Sequence, residues 1–505
     1  MSPKRIYLAV GLCAVVVYLG ALWNRFALDD LPIILTNPLV AHPSGVWRAF
    51  AAPYWPPDLG GRLYRPLVIA TFALDRLVDG AGWFHAINLL WHAAGAIAVA
   101  ALARRWTDDA GMEGGALVTG MLFAVHPVHV EAVANVVGRA ELMAGLFTVL
   151  AVYAALARER VGWSAAAWAL GLVCKENAAV APALIVLGWL VGLARPDRRR
   201  VARFVASWVL VGGAYAAVYA TIGHGLVRYD TVAPMFVGES ARTVRLTAVH
   251  GLADITRLLV FPLTLRVDYS PAERTVVTSP FDPRFGAGLL CVVLWATLLV
   301  LAWRRGRRLE AFGLGWIGIA LLPVANLVFP AGFYVAERTL YLPSAGLVLA
   351  AAAALARLPR ARLRGVVAAL VLVGGTRAFL RVPVWRDDLS VTRSIIEDSP
   401  RSYLGHSRMA GAYLDRRQPA QALTEARLAA GIYRRDPWIY ATGAVAAFSV
   451  RDAKAADSLL TALERVCSGQ CAATYYRYEA AVARAHGYPE AADSLLARVE
   501  RLQAP

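Results

Sequence analysis

Two adjacent carboxylates, Asp29-Asp30, follow the first apolar run of this chain. Further ionisable groups recur at the ends of later runs: His126-Pro-Val-His129-Val-Glu131, Arg139-Ala-Glu141, Lys175-Glu176 and Glu337-Arg338. Holding such groups at the rim of a hydrocarbon slab costs free energy, which marks them as functional-site candidates. A carboxylate held beside a hydroxyl can act as a general base. One carboxylate suffices when the leaving group is a phosphate, because a stable anion departs without a proton. Glycoside hydrolysis uses two. The departing phosphate needs cations, and guanidinium groups bind phosphate oxygens in bidentate fashion. Arg65, Arg139, Lys175 and Arg338 are the candidates on the expected outer face. The set suits chemistry on a lipid-borne, charged substrate at a membrane surface.

Each residue also has a structural reading. Asp29 or Asp30 could cap a turn ahead of Pro32. Arg139 could pair with Glu141 or Glu131, Lys175 with Glu176, and Arg338 with Glu337, since buried charges are usually paired. His126, His129 and Glu131 lie close together in sequence, but their spacing of three with Pro127 between is not the helical four of a zinc protease. No metal is expected; substrate hydrogen bonding or a polar network suits them better. His85, Asn88 and His92 share one helical face.

These groups need elements to hold them. The 505-residue chain is 58% hydrophobic and 17% charged, and its mean hydropathy is +0.51, far more apolar than a soluble domain. A span needs about 20 apolar residues. Runs near 6–23, 85–103, 114–127, 139–157, 161–174, 177–194, 203–222, 285–303, 309–328, 339–356 and 364–380 predict about eleven transmembrane helices. The net charge of +17 sits in short arginine-rich loops, so topology explains it and nucleic acid does not. If the ambiguous run 244–263 lies in the interface, every basic cluster falls on the cytoplasmic side. The N-terminus is then inside, and the chain beyond Leu380 lies outside with the polar motifs. A signal peptide is disfavoured by the poor cleavage site at Leu19-Gly-Ala-Leu-Trp23.

Beyond residue 384 the composition changes to a soluble helical pattern. Ala455-Ala-Asp-Ser-Leu-Leu460 recurs as Ala491-Ala-Asp-Ser-Leu-Leu496, a period close to the ~34 residues of tetratricopeptide helix pairs. Three pairs fit in 401–502, near the minimum for a stable stack; an ordinary bundle is the alternative. The expected division is 1–384, a polytopic membrane domain, and 385–505, a repeat domain that binds a protein partner. Cys467 and Cys471 form either a local disulfide or two free thiols, and both readings stay open.

Several segments occur in order: Leu28-Asp-Asp30, Tyr64-Arg-Pro-Leu67, His85-Ala-Ile-Asn88, Phe123-Ala-Val-His-Pro-Val-His-Val-Glu131, Ala134-Asn-Val-Val-Gly-Arg-Ala-Glu-Leu142, Lys175-Glu176 and Val335-Ala-Glu-Arg-Thr-Leu-Tyr-Leu-Pro-Ser344. Together they resemble the transmembrane and tetratricopeptide-repeat O-mannosyltransferases, a family that glycosylates cadherins in animals. Leu258-Leu-Val-Phe-Pro-Leu263 and Asp268-Tyr-Ser270 resemble its middle region. The resemblance implies an all-α, polytopic GT-C fold. It implies an inverting glycosyltransferase that moves a hexose, mannose in the first instance, from a polyprenyl- or dolichyl-phosphate sugar to Ser or Thr of an exported protein. No cofactor beyond that lipid-linked donor is implied. The catalytic aspartate corresponds to Asp29 or Asp30. Arg65, His126, His129, Glu131, Arg139, Glu141, Lys175, Glu176, Glu337, Arg338 and Tyr341 are the substrate-binding candidates. The short repeat array and the Ala- and Arg-rich composition depart from the animal pattern. They suggest a bacterial member in the inner membrane with its site facing the periplasm, or the lumen of the endoplasmic reticulum in a eukaryote. Transfer to lipid A or envelope polysaccharide, and a non-catalytic scaffold for the repeats, are the rival readings.

Overall fold

The computed structural model describes residues 2–56, 63–109, 114–223, 232–269 and 271–503. Ser270 and its role in the middle-region resemblance lie outside them. Among the described residues the chain is helical, without strands, as the all-α expectation requires. It divides into two compact units.

The first unit comprises Met1–Thr231, Glu239–Leu265 and Val277–Asp387. Among its described residues seven helices are long and apolar enough to cross a membrane: Pro3–Trp23, Ala81–Thr107, Val136–Leu156, Arg198–Ile222, Pro283–Arg304, Glu337–Leu355 and Arg360–Trp385. Gly115–Ala124 and Pro127–Ala134 form a pair bent by 47°, which makes eight if counted as one span. Eleven spans were expected. The other apolar runs are too short or broken: Val161–Leu172 and Glu176–Leu190 are brief helices, and the run at 309–328 is helical only over Arg308–Leu321. The breaks fall where polar motifs interrupt the apolar pattern, at His126-Pro127, at Lys175 and beyond Leu321. Proline removes an amide donor, and an extended residue such as Lys175 (φ −164°, ψ 144°) cannot continue a helix.

Burial separates these helices into two kinds. Val136–Leu156 and Glu337–Leu355 are 78% and 72% buried, whereas Arg198–Ile222, Pro283–Arg304 and Arg360–Trp385 are 6%, 11% and 17% buried. Helices apolar all round are either core or lipid-facing. The first pair is the centre of this unit and carries Arg139, Glu141, Glu337 and Arg338; the other three expose Leu210, Leu294 and Leu372. Helix Ala241–Val260 contains nine buried residues beside its charged face and does not meet the criteria for a span.

The second unit comprises Asp388–Pro505 with Val232–Gly238 and Arg266–Val276. After Asp388–Asp398 come three helical hairpins: Tyr403–Asp415 with Pro419–Ile432, Pro437–Ser449 with Ala453–Val466, and Gln470–Ala485 with Pro489–Gln503. The first helix of each hairpin ends at a left-handed residue, Arg417 (φ 57°), Arg451 (φ 60°) and Gly487 (φ 84°). That stop turns the chain back on itself. Small residues at the interface, among them Ala410, Ala426, Ala444, Ala456 and Ala473, let the helices pack closely. The two inserted segments are tied to the hairpins: Ser402 Oγ donates to Asp268 Oδ2 at 2.5 Å and Tyr433 Oη to the Pro234 carbonyl at 3.1 Å. Cys467 and Cys471 are joined in a disulfide.

Candidate active site

The two leading aspartates have different environments. Asp30 is 1% exposed. Its carboxylate accepts from the backbone amides of Ala27 (3.1 Å), Val136 (3.4 Å) and Val137 (2.8 Å). It therefore fastens the first loop to the turn at Val136–Gly138. Burial lifts its pKa to about 7 despite those three amides, and the neighbouring charge of Asp29 adds to the rise. Asp29 is only half-buried. It follows Leu28, whose φ of +53° is the left-handed backbone that turns the chain here. Asp30 thus holds the loop, and Asp29 is the more accessible carboxylate.

Arg139 is wholly buried. Its guanidinium donates to Asn88 Oδ1 (2.8 Å), to Thr71 Oγ1 (3.2 Å), to the Phe84 carbonyl (2.9 Å) and to Asp75. It also lies 4.6 Å over the Phe72 ring. Asn88 Nδ2 in turn donates to the carbonyls of Asn135 and Val136. A Cβ at Gly138 would collide with the Ala132 backbone, so the turn ahead of Arg139 needs glycine. This arginine is a strut, with no face left for a phosphate.

The other cations gather around the loop ends. Arg65 pairs with Glu176 at 3.0 Å and lies 5.1 Å over the Tyr54 ring. Lys175 pairs with Glu141, whose second oxygen accepts from Asn177 Nδ2 at 2.8 Å. Arg338 pairs with Glu131 and is a third exposed. Its backbone amide donates to the same carboxylate at 2.8 Å. The expected pairs of sequence neighbours are replaced throughout by long-range ones. Adjacent residues in a helix or turn do not face one another, whereas rims of different helices do. Lys175 feels the charges of both Arg65 and Arg338, Arg338 feels those of Asp29 and Glu141, and Tyr54 lies in the field of Asp29, Arg65 and Arg338. Burial, reinforced by the two arginines, holds the Lys175 ammonium below its usual pKa, with Glu141 opposing. One electrostatic neighbourhood therefore contains Asp29, Arg65, Lys175 and Arg338.

The histidines serve packing. His126 Nε2 bonds the Leu259 carbonyl (2.9 Å), His129 Nε2 bonds Ser344 Oγ (2.7 Å), and His92 bridges the Tyr341 hydroxyl and the Ala124 carbonyl. The His92 and His129 rings pack against Phe123 and Tyr341, at 4.5 Å between Phe123 and His129 and 4.6 Å between His129 and Tyr341, and the His126 ring packs on His129. Glu337 is also buried. His126, His129 and Tyr341 thus lie in an aromatic cluster of the helix interior. Among the described residues no group of three His, Cys, Asp or Glu could hold a metal. Sequence reasoning missed Asp75, Tyr54 and Asn177. The signal for Asp75 was a lone acid ending an otherwise apolar helix; Tyr54 and Asn177 gave none.

Several known proteins are similar to this chain. A Caenorhabditis elegans protein O-mannosyl-transferase is 26% identical over 404 residues, or 77% of this chain and 57% of the relative. Human protein O-mannosyl-transferase TMTC4 is 26% identical over 468 residues, covering 79% and 62%. Drosophila melanogaster protein O-mannosyl-transferase Tmtc2 is 31% identical over 321 residues, covering 59% and 33%. Over most of its length the chain is thus similar to protein O-mannosyl-transferases. It spans about three fifths of the first two relatives' length. No family model and no solved structure matches it. Two of the sequence motifs stand in prominent places. Val-Gly-Arg-Ala-Glu141 builds the strut and the Lys175 partner, and Ala336-Glu-Arg338 brings a cation to the same rim.

Proposed function

We propose that the chain is an inverting glycosyltransferase that takes a hexose from a polyprenyl- or dolichyl-phosphate sugar and delivers it to a Ser or Thr hydroxyl of an exported protein. The names of its relatives support sugar transfer to protein. The observation that carries the reading is the common neighbourhood of one accessible carboxylate and three cations, Asp29 with Arg65, Lys175 and Arg338.

In this scheme the Asp29 carboxylate takes the proton of the acceptor hydroxyl. The oxygen attacks C1 of the sugar from the face opposite the phosphate, and the C1–O bond breaks with its electron pair going to the lipid phosphate. Arg65, Lys175 and Arg338 meet the charge that develops on that phosphate, which is stronger at the transition state than in the bound donor. Each cation already has a carboxylate partner. Those acids keep the cations in place and limit their mutual repulsion. The hairpin unit is the surface proposed to meet a protein partner. The test is incubation of the purified full-length chain with a panel of polyprenyl-phosphate hexoses and an acceptor protein. Release of lipid phosphate with matching hexose on Ser or Thr is expected; hexose found only on lipid or polysaccharide would overturn the acceptor assignment.

A further inference from the structure

Beside the cationic set, several buried polar atoms have no hydrogen-bond partner: Arg65 Nε, Glu176 Oε1, Asn177 Oδ1 and the Tyr215 hydroxyl. They are close together. Arg65 and Glu176 form an ion pair, Asn177 follows Glu176, and Tyr215 lies in the field of both Glu176 and Arg65. The Tyr215 ring is also 6.3 Å from that of Tyr64, the residue before Arg65. Asn177 is 6% exposed, and its amide nitrogen is committed to Glu141. Its oxygen is therefore fixed in place with an unused lone pair. Buried polar groups are nearly always paired, so a local group of exceptions calls for a ligand.

The chemistry of these atoms is selective. Glu176 Oε1 and Asn177 Oδ1 can only accept, Arg65 Nε can only donate, and the tyrosine hydroxyl can do either. An ionised phosphate offers acceptors alone and would leave the two carbonyl-type oxygens unmet. A polyol offers a donor and an acceptor on every hydroxyl. On the glycosyltransferase reading above, we infer that Glu176, Asn177, Tyr215 and Arg65 Nε form a subsite for the hydroxyls of the donor hexose. Arg65 Nη1 then faces the lipid phosphate beside it, while Nη2 stays on Glu176. The subsite sets which hexose is accepted, while Asp29 sets whether it is transferred.

Tyr215→Phe tests this, because it deletes one hydroxyl and keeps the ring. Binding of polyprenyl-phosphate hexose and of bare polyprenyl phosphate to the purified full chain gives a readout that does not depend on turnover. The wild-type chain is expected to bind the hexose-bearing lipid more tightly. Tyr215→Phe should narrow that gap on the order of 3- to 10-fold, the effect of one lost neutral hydrogen bond, and leave bare lipid phosphate binding unchanged. The melting temperature of the unliganded variant should stay level or rise slightly, since the hydroxyl has no partner to lose. A purely structural tyrosine would instead lower it. Equal gaps in the two proteins, or no gap in the wild type, would overturn the subsite. A gap that responds to Tyr215→Phe in a chain that transfers no sugar would keep the subsite and remove the transferase reading.

Discussion

Arg139 and Arg65 are both arginines near the rim of the same helical unit, yet their surroundings are opposite. Around Arg139 every neighbour is accounted for: Asp75, Asn88, Thr71, the Phe84 carbonyl and two aromatic rings. Around Arg65 the pairing is partial, with one nitrogen and three neighbouring polar oxygens unmet. A charge whose partners are complete is part of the framework, and one whose partners are incomplete is prepared for something else. Asp30, buried and held by three amides, differs from the half-buried Asp29 in its access to solvent.

Removal of the strut should do the most damage. Arg139→Ala leaves Asp75 buried without its cation, and a broken buried pair costs about 3–5 kcal/mol. The expected outcome is loss of the folded membrane unit, seen as aggregation on solubilisation or a large drop in melting temperature. A well-folded Arg139→Ala protein with weakened donor binding would reverse the roles of the two arginines. Arg65→Ala should do the opposite. Its partner Glu176 is one-third exposed, so folding is expected to survive. Affinity for polyprenyl phosphate should fall about 10- to 100-fold with the loss of charged hydrogen bonds, measured by direct binding.

A smaller effect sharpens the contrast between the aspartates. The pKa of Asp30 in the folded chain, about 7, lies above the ~3.9 of an unfolded aspartate. Its contribution is therefore fully present below pH ~4 and is lost as pH rises towards 7, because only the unfolded state has given up its proton. Melting temperature should fall between pH 5 and pH 7.5 more steeply in the wild type than in Asp30→Asn. Parallel curves would show that Asp30 is ionised throughout.

The helical class and the repeat period were legible in the sequence, because each leaves a local trace. Apolar runs give the long helices, and Ala-Ala-Asp-Ser-Leu-Leu, recurring after 36 residues, marks the paired hairpins. The number of spans was not legible. The runs at 161–174 and 177–194 have span-like composition, but Lys175 adopts an extended backbone and the helices stop short of a full crossing. The partners were not legible either. Nothing near Arg139 in sequence points to Asp75, and nothing near Lys175 distinguishes Glu141 from Glu176. Such choices are made by which helix rims meet, and residues far apart in the chain decide them.

The most direct test compares two neighbouring residues in one assay. Asp29→Asn and Asp30→Asn are each purified and supplied with the donor that the wild-type chain uses, and lipid phosphate release is followed over time. Asp29→Asn is expected to lose transfer by about 10²- to 10⁴-fold, the usual worth of a general base, with wild-type donor binding. Asp30→Asn should retain turnover while melting at an altered temperature. Transfer at the wild-type rate by Asp29→Asn, with activity lost only in Asp30→Asn, would contradict the assignment of the accessible carboxylate as the base.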